Sequence, residues 1–453
     1  MKKFTRRHFL KFGTSSLLLL TASGCTSLRA ETVPMKTPLP DLEIIECDYL
    51  IHKGLIVDGS GTTPFIGDLA IKGDKIVKVA QAIYARDCKV IDGQGKVVVP
   101  GFIDLHTHTE HYMLSNGKAE MILTQGVTTQ IGGNCGRAIP DVKSYLNNLQ
   151  NLGINYGIFT GYRDLRQQVF GSGGATLNGH QVREMIGILE NNLHAGAFGL
   201  SVALEYWPQN YATLEEMVEL AQVVARYGGL YSVHIRNEGD RVLEAVEELV
   251  EIGLRAKVPV QYSHIKTAYK RNWGKMEQVL HIIEEARRQG LDIKADAYGY
   301  DFASYDLGGG AISISEEDLE RALSHPQVFV GSDSGLNNSG GAIHPRAYAN
   351  YPRILGRYVR DKQILSLEAA INKMTYEPAK RLGLNDRGIL TEGMKADVVV
   401  FDLDSINDLA TRREPNATSK GVETVFVNGK LALHRGQPTG ITAGAVLRNT
   451  IKG

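Results

Sequence analysis

Short apolar runs recur through the middle of the chain, at 101–105, 127–132, 156–160, 197–201, 230–234, 258–264, 291–296 and 328–332. Runs of this length that are apolar at successive positions suit strands buried on both faces. Between them the spacing of apolar residues lengthens to a helical period. "TLEEMVELAQVVARYG", opened by the capping pair Thr213 and Glu216, and "GDRVLEAVEELVEIGLRA" each place their apolar residues on one helix face. Eight alternations across 100–383 predict an α/β fold built on a TIM-like (β/α)8 barrel.

The two flanks have a different texture. Residues 43–99 and 384–453 carry alternating apolar and polar positions broken by Gly-rich turns, as in "DYLIHKGLIVDGSG", "GDLAIKGDKIVKVA" and "VETVFVNGKLALHRG". Such segments are strands with one face covered. The two flanks are expected to meet as one small β-sandwich beside the barrel.

Residues 1–42 belong to neither pattern. "MKKFTRRHFLKFGTSSLLLLTASGC" has a basic start, an apolar run around Leu17 to Leu20, and small residues leading to Cys25. The apolar run is too short for a stable membrane span and has the layout of an export signal. "TRRHFLK" resembles the twin-arginine signal, which carries folded proteins across the bacterial inner membrane. "ASGC" resembles a lipoprotein cleavage box, with Ala22 in place of the usual Leu. A lipid anchor at Cys25 and simple cleavage near Ala30 are therefore the two alternatives, with 26–42 as a tether. The expected location is periplasmic, free or membrane-anchored.

Composition narrows the classes. The chain has 453 residues, 43% of them hydrophobic, which is enough for a large core. Lys+Arg and Asp+Glu balance at 50 each, so no net field points to nucleic acid. Of four cysteines, Cys25 belongs to the signal; Cys47, Cys88 and Cys135 make no disulfide framework.

The candidate chemistry lies where the predicted strands end, because the C-terminal rim of such a barrel carries its active site. "PGFIDLHTHTEHY" ends the first strand with His106 and His108, two positions apart and so on one face. The second strand runs into "GGNCG" with Cys135, the fifth into His234, the sixth into His264 and the eighth into "GSD" with Asp333. Each residue alone has a structural reading as a core histidine, a small buried thiol or a turn aspartate. Together they are a mixed nitrogen, sulfur and oxygen donor set that suits zinc, with Asp333 as the carboxylate that moves a proton. His111 remains a neighbouring candidate, though a solvated loop position suits it better.

"PGFIDLHTH" resembles the first-strand motif of the amidohydrolase superfamily. "GGNCG", "GAFGLSVALEY", "VHIRNEGD", "VPVQYSHIK", "NWGK", "DAYGY", "GSDS" and "HPRAYANYPRILGRYVR" together resemble the N-acyl-D-amino-acid deacylases, or D-aminoacylases. The resemblance runs from about Asp48 to Leu447. It implies one tightly held zinc on Cys135, His234 and His264, and a second, weaker site at His106, His108 and Asp333. Asp333 would act as general base and acid while a metal-bound hydroxide attacks the substrate carbonyl. Lys266, Tyr298 and Arg346 would bind the substrate α-carboxylate, with Tyr206 near the scissile amide.

Some positions depart from the family pattern. The connection from Tyr300 to Asp333 is short where the family carries a lid, so a more open pocket and longer substrates such as D-residue-containing peptides are expected. Gly299 replaces Pro, Ser334 replaces Gly, and Thr109 and Glu110 vary an acidic pair. The expected substrate is an N-acyl-D-amino acid or a D-aminoacyl peptide. Cyclic-amide hydrolysis of the dihydroorotase or hydantoinase kind is the alternative, disfavoured by Cys135 where such enzymes commonly place a carboxylated lysine. An exported binding protein without catalysis is disfavoured by the proton-shuttling Asp333.

Overall fold

Strands buried on both faces need helices on the outside and a packed interior, and the alternating pattern delivers both. The computed structural model describes residues 43–304 and 312–450. The expected signal and tether, with Cys25, lie outside the described residues, as does part of the connection between Tyr300 and Asp333. All eight expected barrel strands form: β1 (Phe102–Asp104), β2 (Val127–Gly132), β3 (Asn155–Ile158), β4 (Gly199–Ala203), β5 (Leu230–His234), β6 (Val260–Tyr262), β7 (Ile293–Ala297) and β8 (Val328–Val330). Every pairing among them is parallel, with β1 and β3 flanking β2 and with β4 to β8 in sequence order. A cluster including Ile103, Ile131, Phe198, Leu230 and Phe329 is buried among them.

The ladder is interrupted twice. Beyond Ile158, the chain at Thr160–Gly161 leaves β2 and pairs with β4. Between β8 and β1 the described strands share no direct ladder. The Asp104 carboxylate instead accepts hydrogen bonds from the Ser332 backbone N–H at 3.0 Å and from the Ser332 hydroxyl. One step further on, Asp333 N donates to His106 O at 2.9 Å, and Ser334 and Gly335 pair with Thr107 and His108. The barrel thus joins its ends at the rim, through the segments that carry His106, His108 and Asp333.

The expected helices form at Leu214–Arg226 and Val242–Ala256, with their apolar faces buried. Thr213 caps the first, accepting from Glu216 N at 3.2 Å. Only this half of the capping box is made. The Glu216 carboxylate is buried and accepts from the Tyr162 hydroxyl at 2.5 Å instead, because the start of the helix Tyr162–Phe170 offers it a partner shielded from water.

The flanks do merge. Val398–Phe401 lies antiparallel to Val97–Pro100, and this contact fuses the two β-rich ends into one nine-stranded sheet. The C-terminal flank is not wholly part of that sheet. Tyr156 N donates to Ala445 O at 2.9 Å and Leu447 N to Tyr156 O at 2.8 Å. The tail covers the edge of β3 that β4 leaves unpaired, satisfying backbone groups that would otherwise be buried without partners. Among the described residues no helix is long and apolar enough to cross a membrane.

Candidate metal centre

The strand ends bring the six candidate ligands into one buried cluster. His106 follows β1 and is fully buried; its Nε2 lies 3.5 Å from Cys135 Sγ and 3.6 Å from an Asp333 carboxylate oxygen. His108, two residues on, sets its Nε2 at 3.0 Å from the same oxygen. Cys135 Sγ is 3.4 Å from His264 Nε2, and that nitrogen is 3.0 Å from His234 Nδ1. Two donor triads emerge with their atoms within 4.8 Å of one another, His106–Cys135–His264 and His106–His108–Asp333. The expected trio of Cys135, His234 and His264 meets through His264, which touches both others. The third compact triad is His234–Glu238–His264.

Three of these residues hold the left-handed backbone conformation that side chains other than glycine avoid: Cys135 at φ 52, His264 at φ 36 and Asp333 at φ 51. Each such residue costs on the order of 1–3 kcal/mol and persists only where the surroundings enforce it. Glycines flank Cys135: a Cβ at Gly133 would lie 2.6 Å from Phe159 O, and one at Gly136 1.9 Å from the Gln209 side chain. The loop can pass this close to its neighbours only without those side chains.

Acidic residues aim the rings. Asp296, on β7, accepts from His106 Nδ1 at 2.8 Å, from His264 N at 2.9 Å and from Gln261 at 2.9 Å. Glu238 sits 2.9 Å from His264 Nδ1, and Glu205 sits 3.0 Å from His234 Nε2. A carboxylate on one ring nitrogen leaves the other to face the cluster, which is the outer arrangement of metal-binding histidines. Burial would push the Cys135 thiol up, but His264, His106 and His108 outweigh it and hold the group well below its ordinary value. Burial likewise raises Asp333, and Arg346, His264 and His108 reverse this, keeping it well below the usual carboxylate range. A thiolate facing converging imidazole nitrogens is a donor set that fits a divalent metal such as zinc.

The Amidohydrolase family pattern matches residues 97–432. An N-acyl-D-glutamate deacylase of Alcaligenes xylosoxydans xylosoxydans is 33% identical, over 86% of this chain and 95% of its own. The chain belongs to the D-aminoacylase family of amidohydrolases. A D-aminoacylase of the same organism is 31% identical over 89% of this chain and 98% of its own. The N-acyl-D-glutamate deacylase of Bordetella bronchiseptica, solved with zinc and a phosphonate mimic of the tetrahedral intermediate, superposes with a TM-score of 0.81. It is 29% identical and covers 89% of this chain and all of its own length.

Within this D-aminoacylase fold, a cavity of about 870 Å³ opens onto the cluster, lined by His108, Cys135, His234, His264 and Asp333. Lys266 and Arg346 also line it. Arg346 is buried, pairs with Asp333 Oδ2 at 2.6 Å through Nη2 and donates to Asp333 O through Nε, while its Nη1 has no partner among the described residues. Lys266 Nζ pairs with Glu238 at 3.2 Å. Tyr298 is buried behind both cations, its ring 4.4 Å from the Arg346 guanidinium and 5.5 Å from Lys266 Nζ. It supports them from behind and is absent from the cavity wall. Tyr206 is on the wall, its ring centroid 4.5 Å from that of His234.

Sequence reasoning left Glu238, Asp296 and Glu205 without roles. Glu238 stands four residues after His234 inside the quoted "VHIRNEGD" and Asp296 inside "DAYGY", so the signal was an acidic residue near each predicted strand end. His111 also lines the cavity, from an exposed position on the helix Glu110–Ser115. The short connection after Tyr300 enters this wall at Ala303 and Ser304, and residues 305–311 lie outside the described residues.

Proposed function

We propose that the protein is a zinc-dependent amidohydrolase that cleaves the amide bond of N-acyl-D-amino acids or related D-aminoacyl peptides, giving a carboxylate and an amine. The observation that carries this is the buried thiolate, imidazole and carboxylate cluster at the floor of a large cavity, with Asp333 clamped between Arg346 and His108. Cys135, His234 and His264 would hold the firmly bound ion, and His106, His108 and Asp333 a second, weaker one. Bound there, zinc supplies Lewis acidity that activates a water and polarises the scissile carbonyl.

The chain's own residues do the rest. Asp333 takes the proton of the attacking water and later passes it to the leaving nitrogen. Its partners hold it in the ionised form, in which both carboxylate oxygens are acceptors. Arg346, with Nη1 unpaired, and Lys266 present positive charge to the substrate α-carboxylate, and a guanidinium fork matches that group's two oxygens. Tyr206 stands over the reacting amide and closes the His234 side of the cavity.

Amine release from paired N-acetyl-D- and N-acetyl-L-amino acids and D-containing dipeptides, with the zinc-reconstituted protein, tests this. Release from the D series alone is expected. Equal release from both series, or hydantoin cleavage in their place, overturns it. We further infer export by the twin-arginine route, supported by "TRRHFLK", with a lipid anchor at Cys25 and simple cleavage near Ala30 as the two alternatives that "ASGC" leaves. Replacing Arg6 and Arg7 together by Lys should retain the chain in the cytoplasm, and membrane association of the exported form that is lost in Cys25→Ala would decide for the anchor.

A further inference from the structure

Apart from Cys135, the described residues hold two cysteines, and these two meet. Ile44–Glu46 runs parallel to Tyr84–Arg86, with Glu46 opposite Arg86. Beyond the cysteines the pairing resumes with Tyr49 opposite Lys89, and Lys89 N donates to Asp48 O at 2.9 Å. Cys47 and Cys88 occupy the break between these two ladders. Asp87, in the left-handed region at φ 57, turns the chain there and presents Cys88 beside Cys47. Both cysteines belong to one small apolar cluster with Leu50, Ala70 and Ile83, so their side chains pack into the same space. Cys47 is buried and Cys88 half-buried, so one of the pair is open to a reagent.

We propose that Cys47 and Cys88 close a disulfide once the protein reaches an oxidising compartment. The more accessible Cys88, as thiolate, attacks one sulfur of a disulfide oxidant, protein or small molecule, and a mixed disulfide forms as the oxidant's other sulfur leaves as thiolate. Cys47 then gives up its proton and attacks the Cys88 sulfur, expelling the second oxidant thiolate. Two protons pass to the released thiolates and two electrons to the oxidant, which ends as a dithiol. The bond would span the first three long strands of the small sheet and pin Ile44–Glu46. That strand is three residues long, pairs only with Tyr84–Arg86 among the described residues, and follows directly on the proposed tether. Cross-linking it restricts the unfolded chain and resists peeling of the strand from the body.

Two measurements decide the matter. The zinc-loaded full chain, recovered from the cell envelope after expression with its own signal, is denatured, alkylated without reductant and mapped by mass spectrometry. The Cys47 and Cys88 peptides are expected linked, lighter by two hydrogens and alkylated only after reduction, while Cys135 is alkylated at once. Both peptides alkylated without reduction would overturn the proposal for the exported protein. In the second measurement, reduced zinc-loaded enzyme is incubated with oxidised glutathione. The same internal link is expected, together with a melting temperature several degrees above that of Cys88→Ser and unchanged amine release. Mixed glutathione adducts or two free thiols there would show that the pair cannot close, whatever the compartment and whatever the substrate.

Discussion

Asp333 has Arg346 on one oxygen and His108 and His106 on the other, and all three favour its charged form. Asp333→Asn keeps the shape and removes the proton acceptor. Turnover should fall by about 10²–10⁴-fold while zinc content is retained, and an active, zinc-loaded variant would refute the assigned role. His344 gives a pH prediction. Burial, then the charge of Arg346, depress it to about 2. Its Nε2 donates to Phe302 O at 3.0 Å while Nδ1 accepts from Arg346 N at 3.1 Å, so the neutral ring is fully satisfied. In the unfolded chain it titrates near 6.5, so below that pH the unfolded state holds the extra proton. Stability is therefore fully present above about pH 6.5 and lost below it, by about 1.4 kcal/mol per pH unit from this residue. Denaturant titrations of metal-free protein between about pH 6.5 and 5 should show a shallower pH slope in His344→Gln; an unchanged slope counts against this. The histidines, Cys135 and Asp333 were legible because metal-donor side chains coincide on several predicted strand ends. Asp296 and Glu238 were not, because a carboxylate gains its meaning only when folding sets it against a particular ring nitrogen.

At the level of elements, Asp104 is the side chain that ties the start of the seam between β1 and β8, before the backbone contacts at Asp333 and Ser334 take over. Asp104 satisfies both the backbone and the hydroxyl of Ser332 in a buried setting, and burial raises its own carboxyl to about 6. Asp104→Ala would strand two buried donors, at about 1–3 kcal/mol each, and loosen the segment that carries Asp333. A lower urea midpoint together with weaker zinc retention is the expected pair of results; a lower midpoint with unaltered zinc affinity would confine Asp104 to stability. Thr213→Ala removes the N-cap of Leu214–Arg226 and should cost about 1 kcal/mol, with no change in turnover. The strands and helices themselves were legible from apolar spacing. The seam and the Glu216 partner were not, since both are contacts between segments far apart in sequence, on which local pattern is silent.

Across the whole molecule, the joining of the two β-rich flanks followed from their shared texture, but the last residues did more than that texture indicated. Removing 444–450 would leave the N–H and C=O of Tyr156 without their partners. The expected result is faster amide exchange at 155–158 with the small sheet unaffected; protection retained there would show that another segment covers the edge. The same register has a temporal meaning. Val97 waits for Phe401, and Tyr156 for residues 445–447, so neither the small sheet nor β3 can complete its pairing until nearly the entire polypeptide has been synthesised. A chain wired in this way keeps open strand edges for as long as its synthesis is unfinished, and only the completed polypeptide closes them.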